Sequence, residues 1–150
     1  MTAMEPTPAR LREWNEALAR ETLSAQGVLH VIQGQLDDGA DVNYVSVRYG
    51  NPLINAVSNG RIDVIKLLLE HGANPNKVRT LSIRTQDSPL YAALIRFTSG
   101  VFSEAAARVI VTLLLEAGAH YRNPMIQSLI KTNKKVEQLM NDLLKKQKLM

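Results

Sequence analysis

Residues 51–76 read NPLINAVSNGRIDVIKLLLEHGANPN. Asn51 offers a side-chain acceptor ahead of Pro52, and a proline is well placed at the first position of a helix, where its missing N–H is not needed. Leu53 and Ala56 follow on one side, and Asn59-Gly60 breaks the pattern. Ile62, Ile65, Leu68 and Leu69 then recur at helical spacing. Gly72 stops this second run, since a left-handed residue at a helix C-terminus costs glycine least. The stretch therefore predicts a helix over about 52–59, a tight turn, and a second helix over about 62–71.

Its closing string is not unique. Gly39-Ala40-Asp41-Val42-Asn43 returns 33 positions later as Gly72-Ala73-Asn74-Pro75-Asn76, and again, 46 positions further on, as Gly118-Ala119-His120. The triplet Leu67-Leu68-Leu69 shifts by the same 46 onto Leu113-Leu114-Leu115. Self-similarity of this kind marks a solenoid, in which each unit buries its apolar face only against its neighbours.

A 33-residue unit headed by Asn51-Pro52-Leu53-Ile54-Asn55-Ala56 resembles the ankyrin repeat. The resemblance implies an all-α, helix-turn-helix solenoid with short β-hairpin-type turns. We expect one domain of four units, at about 8–43, 44–76, 77–119 and 120–149. The third restarts at Ser88-Pro89-Leu90-Tyr91-Ala92-Ala93, at an offset of 37, so four extra residues sit in the turn before it. Nine more lie between its two helices, around 97–105, and there Ser103 is placed to cap a helix with Glu104 in its first turn. The fourth restarts at Asn123-Pro124-Met125-Ile126, with only 6 positions from Gly118 to Pro124 against 13 from Gly39 to Pro52, too few for the usual projecting turn. The first lacks the proline signature and opens at Thr7-Pro8, with Leu11, Trp14 and Leu18 on one stripe. Degenerate end units are expected, because each must be wet on one side. The remaining helices are predicted at about 8–25, 28–38, 89–97, 103–117, 124–132 and 134–146. Leu53, Ala56, Ile65, Leu68, Leu90, Ala93, Leu114 and Leu129 are the expected core between units.

Composition narrows the chemistry. The 150 residues are 45% hydrophobic and 5% aromatic, enough apolar material for one core and a leaning toward helix. Cysteine is absent, so no disulfide framework and no thiolate metal site can form. The three histidines, His30, His71 and His120, fall at non-equivalent positions with no ligand pair at helical spacing, and read as structural. Asp37, Asp38 and Asp41 surround a helix end and a turn, where carboxylates serve solvation and turn bonding. There is no nucleophile elbow and no phosphate loop. The expectation is a chain that is not an enzyme and needs neither cofactor nor metal. No run approaches the roughly 18 apolar residues of a membrane span, and the first twenty residues lack a signal peptide's apolar stretch. A cytoplasmic monomer is the expected state.

Function is expected in binding to another protein rather than to a small molecule. In the resembled family the turns between units form fingers, which line a concave face together with the first helices. Carried onto this sequence, the partner-binding positions are Tyr44, Val47, Arg48, Tyr49, Ser58, Asn59, Arg79, Arg84, Thr85 and Arg96. Gly50, Asp87 and Ile95 are further variable positions. Exposed tyrosine and arginine on rigid elements are the types that dominate interface energies. Residues 1–43 carry 3 basic and 7 acidic side chains, whereas 44–100 carry 7 and 3, and 101–150 carry 8 and 4. The basic excess on the turns (Arg48, Lys77, Arg79 and Arg84 against Asp87) favours an acidic partner surface. The alternative is nucleic-acid or anionic-surface binding through the C-terminal helix, where Lys131, Lys134, Lys135, Lys145, Lys146 and Lys148 flank an apolar stripe. A net charge of +4 is modest for that role.

Overall fold

A computed structural model describes residues 25–39, 41–43, 52–76 and 88–148. Seven helices follow in order: α1 Ala25–Asp37, α2 Pro52–Ser58, α3 Ile62–Glu70, α4 Pro89–Thr98, α5 Glu104–Glu116, α6 Pro124–Thr132 and α7 Lys134–Lys148. The described residues contain no strand. Of the helix expected at 8–25, residues 8–24, with Trp14, lie outside them, as do Asn51 and the turn segments 44–50 and 77–87; Ala25 opens α1 instead.

The helix starts are made by the residues that predict them. Pro52, Pro89 and Pro124 each open a helix. Ser88 Oγ accepts from the Tyr91 amide at 3.3 Å, Ser103 Oγ from Ala106 at 3.2 Å, and Asn123 Oδ1 from Ile126 at 2.9 Å. Each satisfies one of the amides that a helix N-terminus leaves without a partner. Ser88 is thereby the one buried polar residue among those described, and it is buried with a bond made.

The ends are as regular. Gly72 stands at φ +86°, its amide donating to the Leu69 carbonyl and that of Ala73 to Leu68. This paired closure needs a left-handed residue, and at Gly72 only the backbone makes glycine necessary, since an added Cβ would meet open space. Gly60, at φ +66°, is constrained twice: a Cβ there would come within 3.2 Å of the Phe102 ring.

Helices pair as α2–α3, α4–α5 and α6–α7, and the pairs stack in chain order. One layer runs α1, α3, α5, α7; the other holds α2 beside α4. Between the layers lie Leu53, Ala56, Ile65, Leu68, Leu90, Ala93 and Leu114, all buried as expected. Each large aliphatic side chain withdrawn from water here contributes about 1.5–3 kcal/mol.

The last pair departs from the stack. α7 packs on both α4 and α5, burying Val136, Leu139, Met140 and Leu143, while α6 packs on α7 and buries only Ile126 fully. Leu129, expected in the core, is half-buried. Among the described residues α6, reached through the short Gly118–Pro124 connection, packs chiefly on α7 and so has protein on fewer sides. The nine-residue insertion also resolves differently from a loop. Relative to α2–α3, three of its residues lengthen the first helix, two the connection and four the second.

Candidate protein-binding surface

Three of the ten predicted partner-binding residues fall among those described: Ser58, Asn59 and Arg96. Ser58 ends α2 and is half-buried; Asn59 follows it, exposed, with its side-chain amide donating to the Asn55 carbonyl at 2.7 Å. Arg96 is exposed in the last turn of α4. The 37-residue offset pairs Ser58 with Ile95 and Asn59 with Arg96, and α2 lies against α4. The structure thus brings these side chains onto neighbouring ends of two adjacent helices. Tyr44, Val47, Arg48, Tyr49, Arg79, Arg84 and Thr85 lie outside the described residues.

What holds successive pairs in register was not read from the sequence. Asn43 donates through Nδ2 to the Gly72 carbonyl at 3.2 Å and accepts, through Oδ1, from the Asn74 amide at 2.6 Å. Asn76, 33 positions on, repeats the bracket: Nδ2 to the Gly118 carbonyl at 3.1 Å, Oδ1 from the His120 amide at 2.7 Å. Each bracketing residue is itself set by a local turn, with the Asn43 amide on Asp41 Oδ1 and the Asn76 amide on Asn74 Oδ1, both 2.9 Å. A side-chain amide is the group that donates and accepts at once, which is why asparagine fits. The available signal was the identity of Asn43 and Asn76 across the repeat. Arg122 stands two residues after His120, as Asn76 does after Asn74, and it lies over the Tyr121 ring at 5.8 Å instead.

The last pair is tied to α5 by charge. One nitrogen of Arg108 lies 3.0 Å from Glu104 on its own helix and 3.0 Å from Asp142 on α7. The hydrogen bonds that Arg108 donates to Asp142 and then to Glu104 raise its pKa above the ordinary value. Beside this pair lies an open groove of about 690 Å³, lined by Phe97, Phe102, Lys135 and Gln138 among others. His71 caps α3, its Nδ1 2.9 Å from the Leu67 carbonyl; His30 and His120 are exposed. Among the described residues no cluster of side chains is arranged to hold a metal ion, and no helix is long and apolar enough to cross a membrane.

The ankyrin repeat family model matches residues 50–80. The mouse 2-5A-dependent ribonuclease is 47% identical over 47 residues, 31% of this chain and 6% of that protein. The mouse B-cell lymphoma 3 protein homolog is 48% identical over 42 residues, 27% of this chain and 9% of that protein. Among solved structures, the ankyrin repeat domain of Bcl-3, described as a unique member of the IkappaB protein family, superposes with a TM-score of 0.54. That match is 25% identical and covers 82% of this chain and 57% of the other. With the repeated helix pairs above, these findings make the chain an ankyrin-repeat protein. Its fold is an interaction scaffold of the kind used for protein–protein contact. The chain spans less than a tenth of the length of either curated relative, and the likeness to the ribonuclease is confined to 47 residues.

Proposed function

We propose that the chain works as a non-catalytic recognition module, binding a partner protein through its finger turns and the concave face of its first helices. Its four units, at about 8–43, 44–76, 77–119 and 120–149, would present this face as a rigid surface, in an adaptor, an inhibitor or an effector. The observation that carries the reading is the α2–α4 row. Its inner sides are fully buried, while Asn59 and Arg96 project from helix ends locked by hydrogen bonds. A surface that loses little freedom on docking keeps more of its contact energy as affinity. The basic excess of residues 44–100 supports a partner with an acidic surface, met by a cytoplasmic monomer.

The test is a two-set comparison on an identified partner. Charge reversal at Arg48 and Arg84 should slow association and make it less salt-sensitive. Truncating Tyr49 should cost about 2 kcal/mol or more of binding if it anchors the contact. Reversal of Lys134, Lys135 and Lys145 should leave affinity unchanged. The opposite pattern, with binding lost only at the lysines and falling steeply with salt, would place phosphate or anionic-surface binding first.

A further inference from the structure

The end of α4 carries more than the arginine already assigned to the binding face. α4 closes by the two-bond motif also seen after α3: the Gly100 amide donates to the Phe97 carbonyl, and the Val101 amide to Arg96. This motif brings the residue after the glycine alongside the helix's last turn, where an apolar contact usually forms. After α3 and α5 that residue is alanine, Ala73 and Ala119, buried against the core. After α2 the corresponding positions are the polar Asn55 and Arg61. After α4 they are Ile95 and Val101, and both stay exposed, at 37% and 57%.

This exposed pair is held rigidly. The Arg96 carbonyl accepts from the Val101 and Phe102 amides, at 3.0 and 3.2 Å, and from Ser99 Oγ at 3.2 Å. Phe102, the next residue, is buried and packs its ring where Gly60 leaves room for it. Arg96 forms no ion pair among the described residues, and the carboxylate of Glu104 is held by Arg108 at 3.0 Å. Ile95 and the inserted Val101 therefore build a fixed apolar step, with Arg96 beside it and no ion pair to Arg96 among the described residues.

We infer that Ile95, Val101 and Arg96 form an anchoring site for a partner-protein segment that carries a carboxylate next to an aliphatic or aromatic side chain. Charge complementarity selects the occupant: Arg96 takes the carboxylate, and the Ile95–Val101 step takes the apolar group. This rests on the reading of the chain as a protein-binding module and names the chemistry that the α4 end contributes. Val101 comes from the insertion, and after α2, which lacks it, the closing-motif positions that match Ile95 and Val101 are the polar Asn55 and Arg61.

The test selects a displayed library of random peptides of about twelve residues on the full chain, then measures the recovered peptides against variants. Peptides pairing Asp or Glu with a neighbouring apolar residue are expected. Their affinity should fall about tenfold or more with Val101→Ser and with Arg96→Glu, and should not change with Lys145→Glu. Because these side chains are exposed, the variants should melt as the parent does, which separates lost binding from lost fold. A library without that motif overturns the inference. So does binding that survives Val101→Ser and Arg96→Glu but is lost with Asn59→Arg, a result that leaves the concave-face reading standing. Loss at the lysine end alone overturns both readings. Self-association of the free chain that disappears with Val101→Ser would give the step to a second copy and overturn the proposal as well.

Discussion

Replacing Asn76 with alanine removes two bonds between successive helix pairs in one step: Nδ2 to the Gly118 carbonyl at 3.1 Å, and the His120 amide to Oδ1 at 2.7 Å. A typical intramolecular hydrogen bond contributes a net 0.5–1.5 kcal/mol or so, which puts the pair at about 1–3 kcal/mol. Both lie at the surface, where water can replace a lost partner, so the lower half of that range is expected. For a chain of this size each kcal/mol lowers the melting midpoint by roughly 2–4 °C. Thermal unfolding followed by circular dichroism should therefore show Asn76→Ala melting about 2–8 °C below the parent, from the same native helix content. Asn76→Asp separates the two bonds, since it keeps an acceptor for the His120 amide and loses the donor to Gly118. Its carboxylate also faces a carbonyl, so it should lose at least half as much as alanine. An unchanged midpoint in Asn76→Ala would refute the reasoning: contact between the helices alone would then hold the pairs in register.

Leu68 has no exposed surface, and Leu68→Ala should cost about 2–5 kcal/mol in a denaturant titration, enough to threaten a domain of ordinary stability. Gly60→Ala should destabilise more than Gly72→Ala. Both force a left-handed backbone, at roughly 1–2 kcal/mol, but only at Gly60 does the new Cβ press on Phe102; equal melting midpoints would contradict this. Arg108→Ala breaks two surface ion pairs, so any loss of stability should be small and should vanish at high salt; a loss that persists in molar salt would mean Arg108 acts through packing.

Much of the fold was legible because each unit is local. Proline after a capping residue starts a helix, glycine in a left-handed conformation ends it, and both act through neighbours a few positions away. The helices predicted from these signals match those observed at 52–58, 62–70, 89–98, 104–116, 124–132 and 134–148 to within a few residues. Seven of eight core positions followed from the same register. Leu129 did not, because its burial depends on where α6 sits relative to the rest, and helical periodicity says only which face is apolar. The nine-residue insertion was likewise visible as a change of offset, but its conversion into longer helices was not.

The binding surface divides along the same line. The repeat offset alone equates Ser58 with Ile95 and Asn59 with Arg96, and the string Gly-Ala-x-x-Asn marks where the pairs close. Only the tertiary structure decides that Asn43 and Asn76 reach 29 to 44 residues ahead to bracket the next pair. It alone joins Arg108 to Asp142 across 34 residues and leaves Val101 exposed while Phe102 is buried. The reason is physical. Propensity and capping are energies of neighbouring residues, which a one-dimensional pattern contains. Exposure, ion pairing across helices and side-chain brackets depend on how whole elements come together, and that is decided only when the pairs stack.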